Sequence, residues 1–297
     1  MSDMILYHYD TSPFCEKVRA MLGYTGMRWE SVIVREMPPR PELHRLAGGY
    51  RRVPVAQIGA DIFCDSRVIA AEIARISGKA DLSVDSCDPE VRAYANSAES
   101  EFMLACLGSA MGMNMIKKML KMYSVLDFFR LTWDRIAMVQ KSSLDMPGGK
   151  EAKATVREHL GQMEKRLEAG FLFGDQPTIA DFAAYHGVWY VRDLAELDII
   201  DDYPTVIAWM DRIKAFGHGT MTALSAAQAI DIATEQQPRP LPTDNPDEEQ
   251  IGQSASIAPS DYWKEPVKGV LVASTAHSWI LERRLNASST VNVHFHS

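Results

Sequence analysis

"MILYHYDTSPFCEKVRAML", residues 4–22, sets two periodicities side by side. Residues 4–9 form a short apolar and aromatic run closed by Asp10 and Thr11, which reads as a strand. From Ser12 onward Phe14, Val18, Met21 and Leu22 recur at helical spacing, and "GYTG", with Gly23 and Gly26, supplies the stop. Ser12, Pro13 and Cys15 therefore fall in the turn that opens a helix directly after a strand. "SVIV", residues 31–34, predicts a second short strand. A proline-rich loop, "MPPRPE", leads on towards "VPVAQI" and "DIFC", two strands of a hairpin with Gly59 to Asp61 at the turn. Asp65 and Ser66 are both N-cap residues, and Val68, Ile69, Ile73 and Ile76 mark the buried face of the helix they start. Strand, helix, strand, hairpin and helix within 80 residues is the pattern of an α/β unit around one sheet.

The pattern then changes. Beyond "KADLSVDSCDP" the strand signals vanish, and residues 89–235 read as successive helices interrupted near "MPGG", "FGDQPT" and "DDYPT". "EQQPRPLPTDNPDEEQ", residues 235–250, is rich in proline and acid without apolar periodicity, which predicts a linker or an exposed wrap, its "DNPDEE" solvated. "VKGVLVA", "SWILERRL" and "VNVHFH" read as strands again. Segments this short are not stable as one hairpin, so they must form at least three strands or pack on the helices. The expected organisation is an α/β domain over residues 1–80, an all-α helical-bundle domain over 88–235, a linker over 236–260 and a small β appendage over 261–297.

Of the 297 residues 46% are apolar, enough for a sizeable core, and the formal charge of −8 offers no basic stripe for a phosphate backbone. Nucleic acid is thus not an expected partner. The N-terminal "MSDMILYHYDTSPF" lacks a basic region followed by a long apolar stretch, and no run reaches membrane-spanning length, so neither secretion nor a membrane is expected. Four widely spaced cysteines, Cys15, Cys64, Cys87 and Cys106, fit a reducing, cytoplasmic setting, and the sequon at Asn286 is then accidental.

Three features can serve one site. Helix N-termini at Ser12 and Ser66 collect unpaired amides and partial positive charge, which favours an anion such as a thiolate or carboxylate. The Val53–Pro54 pair lacks one backbone donor; a cis bond there turns the Val53 amide and carbonyl towards a peptide-like ligand, whereas a trans bond leaves Pro54 simply starting a strand. Asp65 and Ser66 also have a purely structural duty as caps.

"TSPFCEKVR", "RRVPV", "CDSRVIAAEI" and "GDQPTIADFAAY", in this order, resemble the glutathione S-transferase superfamily over residues 4–230. The resemblance implies a thioredoxin-like N-terminal domain, a helical C-terminal domain, a homodimer and glutathione as co-substrate, without a metal. It also implies a glutathione site: the backbone of Val53 beside a cis Pro54 for the cysteinyl unit, Asp65 with Ser66 for the γ-glutamyl end, and Arg52 for the glycyl carboxylate, with Arg40 as a weaker candidate. "PTIADFAAY" is read physically as a cap, with Thr178 at the N-cap, Asp181 at the capping-box position and no catalytic role for either. The C-terminal strands depart from the family's pattern.

An unperturbed thiol has a pKa of about 8.5, and one hydroxyl donor plus a helix N-terminus suffice to favour its thiolate at neutral pH. Ser12 is the expected donor to the thiolate of glutathione, which would attack a hydrophobic electrophile. Cys15 lies one turn deeper, where a thiol is usually a buried hydrophobe, and is the alternative for a thiol-disulfide oxidoreductase. A non-catalytic module binding a partner through its β tail is the reading from another class. Tyr7 and Tyr9 are reserve hydroxyls, with core packing as their expected duty. Met111, Met113 and Met115 are candidates to line an apolar substrate site. His294 and His296 share a strand face but do not complete a zinc site.

Overall fold

The computed structural model describes residues 3–140, 142, 146–243 and 246–297. Strand β1 (Met4–His8) leads into helix α1 (Pro13–Thr25), then β2 (Arg28–Ile33) and α2 (Pro41–Ala47). The hairpin β3 (Val55–Ile58) and β4 (Asp61–Cys64) follows, then α3 (Ser66–Ser77). β1 lies parallel to β2 and antiparallel to β3, and β3 is antiparallel to β4. This is the α/β unit that the alternating periodicities predict, with the thioredoxin-like arrangement that the family resemblance implies. Helix α1 ends where Gly26 adopts φ 63° and its N–H returns to the carbonyl of Gly23, a left-handed cap that glycine takes without steric cost. Gly23 is needed for a different reason: a Cβ there would lie 2.0 Å from the carbonyl oxygen of Gly217.

The helical unit comprises α4 (Pro89–Ser97), α5 (Met103–Ser109), α6 (Met113–Met122), α7 (Val125–Gln140), α8 (Gly149–Arg166), α9 (Ile179–Trp189) and α10 (Pro204–Ala215). A π-helical turn, Ala98–Phe102, joins α4 to α5. Helix α9 is fixed by its capping box. The Asp181 carboxylate accepts from Thr178 N (2.9 Å), from Leu172 N (2.9 Å) and from Trp209 Nε1 (3.0 Å), so one buried acid ties α9 to α10 and the preceding loop. One apolar core runs from the α1 and α3 side of the sheet into this bundle, taking in Met21, Ile69, Phe102, Phe182 and Trp209. Buried charge fastens the same boundary: Glu99 pairs with both Lys17 and Arg67 (Arg67 Nε–Oε2 2.8 Å), and Glu16 pairs with Arg19 (2.7 Å) and accepts from Tyr185 (3.3 Å).

Within the stretch 89–235, read as helices throughout, the chain returns once to the sheet. β5 (Thr220–Ala223) pairs parallel with β2 at one edge, and α11 (Ala226–Glu235) then covers the other sheet face. The C-terminal segment supplies β6 (Ser254–Ile257), β7 (Val267–Ser274), β8 (Ser278–Arg284) and β9 (Thr290–His296). β6 falls within the stretch read as linker, and Asp244 and Asn245 of that stretch lie outside the described residues.

The strands of the expected C-terminal β appendage continue the N-terminal sheet. β9 pairs parallel with β4, giving a nine-stranded sheet in the order β5-β2-β1-β3-β4-β9-β8-β7-β6. Alternation in β9 explains the junction: Val291, Val293 and Phe295 enter the core shared with Ile62 and Cys64, and the other face carries Asn292, His294 and His296. His294 is buried there, stacked on Phe63 at 4.6 Å and bonded through Nε2 to Asp61 at 2.7 Å. The extension thereby covers the backbone edge of the fully buried β4.

Candidate active site

Ser12, Val53, Pro54, Asp65 and Ser66 all line one cleft of about 1630 Å³, between the thioredoxin-like unit and helices α5–α7. The helix starts at α1 and α3 form one wall. Ser12 caps α1, its Oγ accepting from Cys15 N at 3.3 Å, and its own N–H donates to the carbonyl of Tyr9. A hydroxyl that accepts from a backbone amide keeps its proton available to a further acceptor. The Val53–Pro54 bond is cis, as is Pro38–Pro39, which the sequence reading does not anticipate. Asp65 caps α3 through Oδ1, which accepts from Arg67 N at 2.9 Å. Its φ of 96° is a conformation that non-glycine residues adopt only where their surroundings impose it, and such residues cluster at ligand sites.

The two cysteine-turn residues part company. Cys15 is fully buried and is not among the residues lining the cleft. Burial pushes its thiol pKa up, and the hydrogen bond with Ser12 only partly opposes that. Cys64, Cys87 and Cys106 are buried free thiols as well. Tyr7 packs in the core, its hydroxyl donating to Gln57 at 2.6 Å. Tyr9 departs from the expected core duty: it lies beyond the end of β1, lines the cleft and accepts from Arg135 at 3.3 Å.

Arg40 and Arg52 both line the cleft, but neither guanidinium stands free. Arg40 donates from Nε to the carbonyl of Arg35 (2.7 Å) and from Nη1 to that of Arg51 (2.6 Å). Arg52 pairs with the Asp261 carboxylate, donates to the carbonyl of Tyr262 and lies with Cζ 3.8 Å from the centre of the Tyr262 ring. Residues 257–263 of the extension thus form part of the cleft wall, which no periodicity in "APSDYW" announces. Glu99 is a further residue the sequence reading misses. Burial opposes its ionisation, yet Lys17 and Arg67 outweigh that and hold its pKa at about 2.

The far wall is apolar. Met103, Met111, Met115, Met119 and Met122 line it, with Leu131 and Ile136. The side chain of Met113 lies outside the described residues. His294 and His296 are engaged by Asp61 and Asp85, and among the described residues no group of three or more His, Cys, Asp or Glu is placed to hold a metal ion. No helix among them is long and apolar enough to cross a membrane.

A thioredoxin-like unit with a cis Val53–Pro54 bond, joined to a helical bundle through a cleft that opens on two helix N-termini, defines a class, and the comparisons agree: the chain belongs to the glutathione S-transferase superfamily. Residues 6–80 match the family description "Glutathione S-transferase, N-terminal domain" and residues 146–212 match "Glutathione S-transferase, C-terminal domain". A GST-like protein from Pseudomonas syringae is 32% identical, with a TM-score of 0.80 over 100% of this chain and 97% of that one. The C-terminal strands are within that alignment. FzlA from C. crescentus, 22% identical, shares the fold over 72% of this chain and 88% of its own with a TM-score of 0.52. A glutathione transferase from Burkholderia graminis, solved with two glutathione molecules bound per subunit, is 18% identical, with a TM-score of 0.50 over 72% of this chain and 84% of its own. No curated protein matches the chain.

Proposed function

We propose that this protein is a glutathione transferase that joins the sulfur of glutathione to an electrophilic carbon of a hydrophobic substrate. The observation that carries the reading is the placement of Ser12, Val53 and Asp65 with Ser66 along one wall of a cleft whose opposite wall is methionine-rich. The Ser12 hydroxyl, already accepting from Cys15 N, donates to the thiolate sulfur, and the N-terminus of α1 adds its partial positive charge. The backbone of Val53 pairs with the cysteinyl unit. Asp65 takes the α-amino group of the γ-glutamyl end and the start of α3 its carboxylate. The glycyl end of the ligand extends towards Arg52, whose guanidinium Asp261 already pairs, with Arg40 as the alternative neighbour.

In the reaction the thiol proton leaves to water, the thiolate attacks the electrophilic carbon held against the methionine wall, and a new S–C bond forms as the leaving group departs with its bonding pair or, in an addition, as the π pair shifts to the neighbouring atom, which takes a proton from water. Holding the two reactants in one cleft supplies proximity, and thiolate stabilisation supplies the nucleophile. The sealed position of Cys15 weighs against disulfide exchange through that thiol. Four unpaired cysteines support a reducing, cytoplasmic setting, and the family supports a homodimer with a detoxifying role. Titration with reduced glutathione tests the reading; absence of binding at millimolar concentration overturns it and leaves the partner-binding module.

A further inference from the structure

The C-terminal extension ends its linker in a turn that puts an acid and two aromatics against three arginines of the cleft. Asp261 pairs with Arg52, and Tyr262 lies over the same guanidinium, its carbonyl accepting from it. Trp263 sits between two more, with Arg51 Cζ 4.8 Å and Arg135 Cζ 4.9 Å from its ring centre. Glu265 pairs with Arg51 at 3.4 Å, and Asp134 of α7 pairs with Arg51 at 2.5 Å. Trp263 has φ 45°, a left-handed conformation that a bulky side chain holds only where its contacts over-determine the turn. Residues 261–263 are therefore a fixture of the cleft, and the carboxylate of Asp261 is the anion that Arg52 holds.

We propose that Asp261 is a specificity-determining residue: its carboxylate occupies Arg52, so the site discriminates against thiol ligands that end in a free carboxylate and favours those whose distal end is neutral. The inference rests on the glutathione reading above. A γ-glutamyl-cysteinyl ligand anchored at Asp65, Ser66 and Val53 extends its remaining end towards Arg52, the neighbour of Val53 in the chain. A free carboxylate there meets a guanidinium already neutralised, and it must either displace an intramolecular partner or approach a second negative charge. An ester or amide carries no such charge and leaves the Arg52–Asp261 pair undisturbed. The remaining cleft cations do not relieve the conflict: Arg51 is paired twice, Arg40 is bound to two carbonyls, Arg135 donates to Tyr9 and to the carbonyl of Glu36, Arg67 pairs with Glu99, and Lys118 pairs with Glu196.

The test is calorimetric titration of the full chain and of Asp261→Asn with reduced glutathione and with its glycyl ethyl ester. The wild-type chain binds the ester at least as tightly as the acid. In Asp261→Asn the acid gains about tenfold in affinity and the ester changes by less than about twofold, the loss of one charged competitor for a guanidinium. Wild-type preference for the acid by about tenfold, or an equal response of both ligands to the substitution, overturns the proposal while leaving the glutathione site standing. Failure of both ligands to bind both proteins overturns the proposal together with the glutathione reading. The wild-type comparison of acid and ester stands even where the variant does not fold.

Discussion

Ser12 and Cys15 are three residues apart and share one hydrogen bond, yet their surroundings assign them opposite chemistry. Ser12 lines the cleft, whereas the Cys15 thiol is sealed away from it. A hydrogen bond to a charged acceptor contributes about 1.5–3 kcal/mol, so Ser12→Ala should lower kcat/KM for conjugation by about 10- to 100-fold at neutral pH. Cys15→Ala should leave it within about threefold, because a thiol held protonated by burial gives no nucleophile; steady-state kinetics with one aryl electrophile read both. Glu99 is the residue whose removal threatens the fold. Its pKa, held at about 2 between Lys17 and Arg67, lies below the unfolded value of about 4.3, so its stabilisation is complete above pH 4.3 and is lost as pH falls towards 2. Glu99→Gln should cost about 3 kcal/mol in urea unfolding at pH 7 and remove that part of the acid dependence. An unchanged midpoint would show that the pair contributes no net stability.

At the level of elements, the strands and helices of the N-terminal α/β unit were legible because each carries a local signal: the apolar run of β1, the cap at Ser12, the glycine turn of the hairpin. So was the cap of α9, since Thr178 and Asp181 lie three residues apart in the chain and bond each other. The pairing of β9 with β4 was not legible, because Thr290, the start of β9, lies 226 positions after Cys64 and nothing local states which edge a strand will join. "VNVHFH" nonetheless alternates, and both of its faces are covered once it is inserted. Phe295, buried between β4 and Tyr50, is the anchor of this junction. Phe295→Ala should destabilise the protein by about 3 kcal/mol, seen as a lower urea midpoint; a change under about 0.5 kcal/mol would mean that the extension is only loosely attached. The hold of residues 261–263 on Arg51, Arg52 and Arg135 was hidden for the same reason, since it joins residues more than a hundred positions apart.

For the whole molecule, the nine-stranded sheet, the helical bundle and the cleft are coupled by buried polar groups, and this makes stability depend on pH. Burial, with Arg19 adding to it, lowers the His8 pKa to about 4, and burial, with Lys17 adding to it, does the same to His186. Both are neutral at pH 7 in the folded chain, whereas unfolded histidine takes up a proton near 6.5, so stability is full above that value and declines as pH falls towards 4. Each histidine accounts for a loss of about 3 kcal/mol across that range, and urea midpoints of the wild type and His8→Gln between pH 7 and 4 should diverge accordingly. Parallel slopes would remove His8 from the account. The central claim concerns the cleft, and the ultraviolet absorbance of the thiolate during a pH titration of bound glutathione tests it most directly. The account predicts saturable binding with the bound thiol pKa at least about one unit below its value in water, and loss of that shift in Ser12→Ala. Binding with an unshifted pKa, or a shift that survives Ser12→Ala intact, would contradict it.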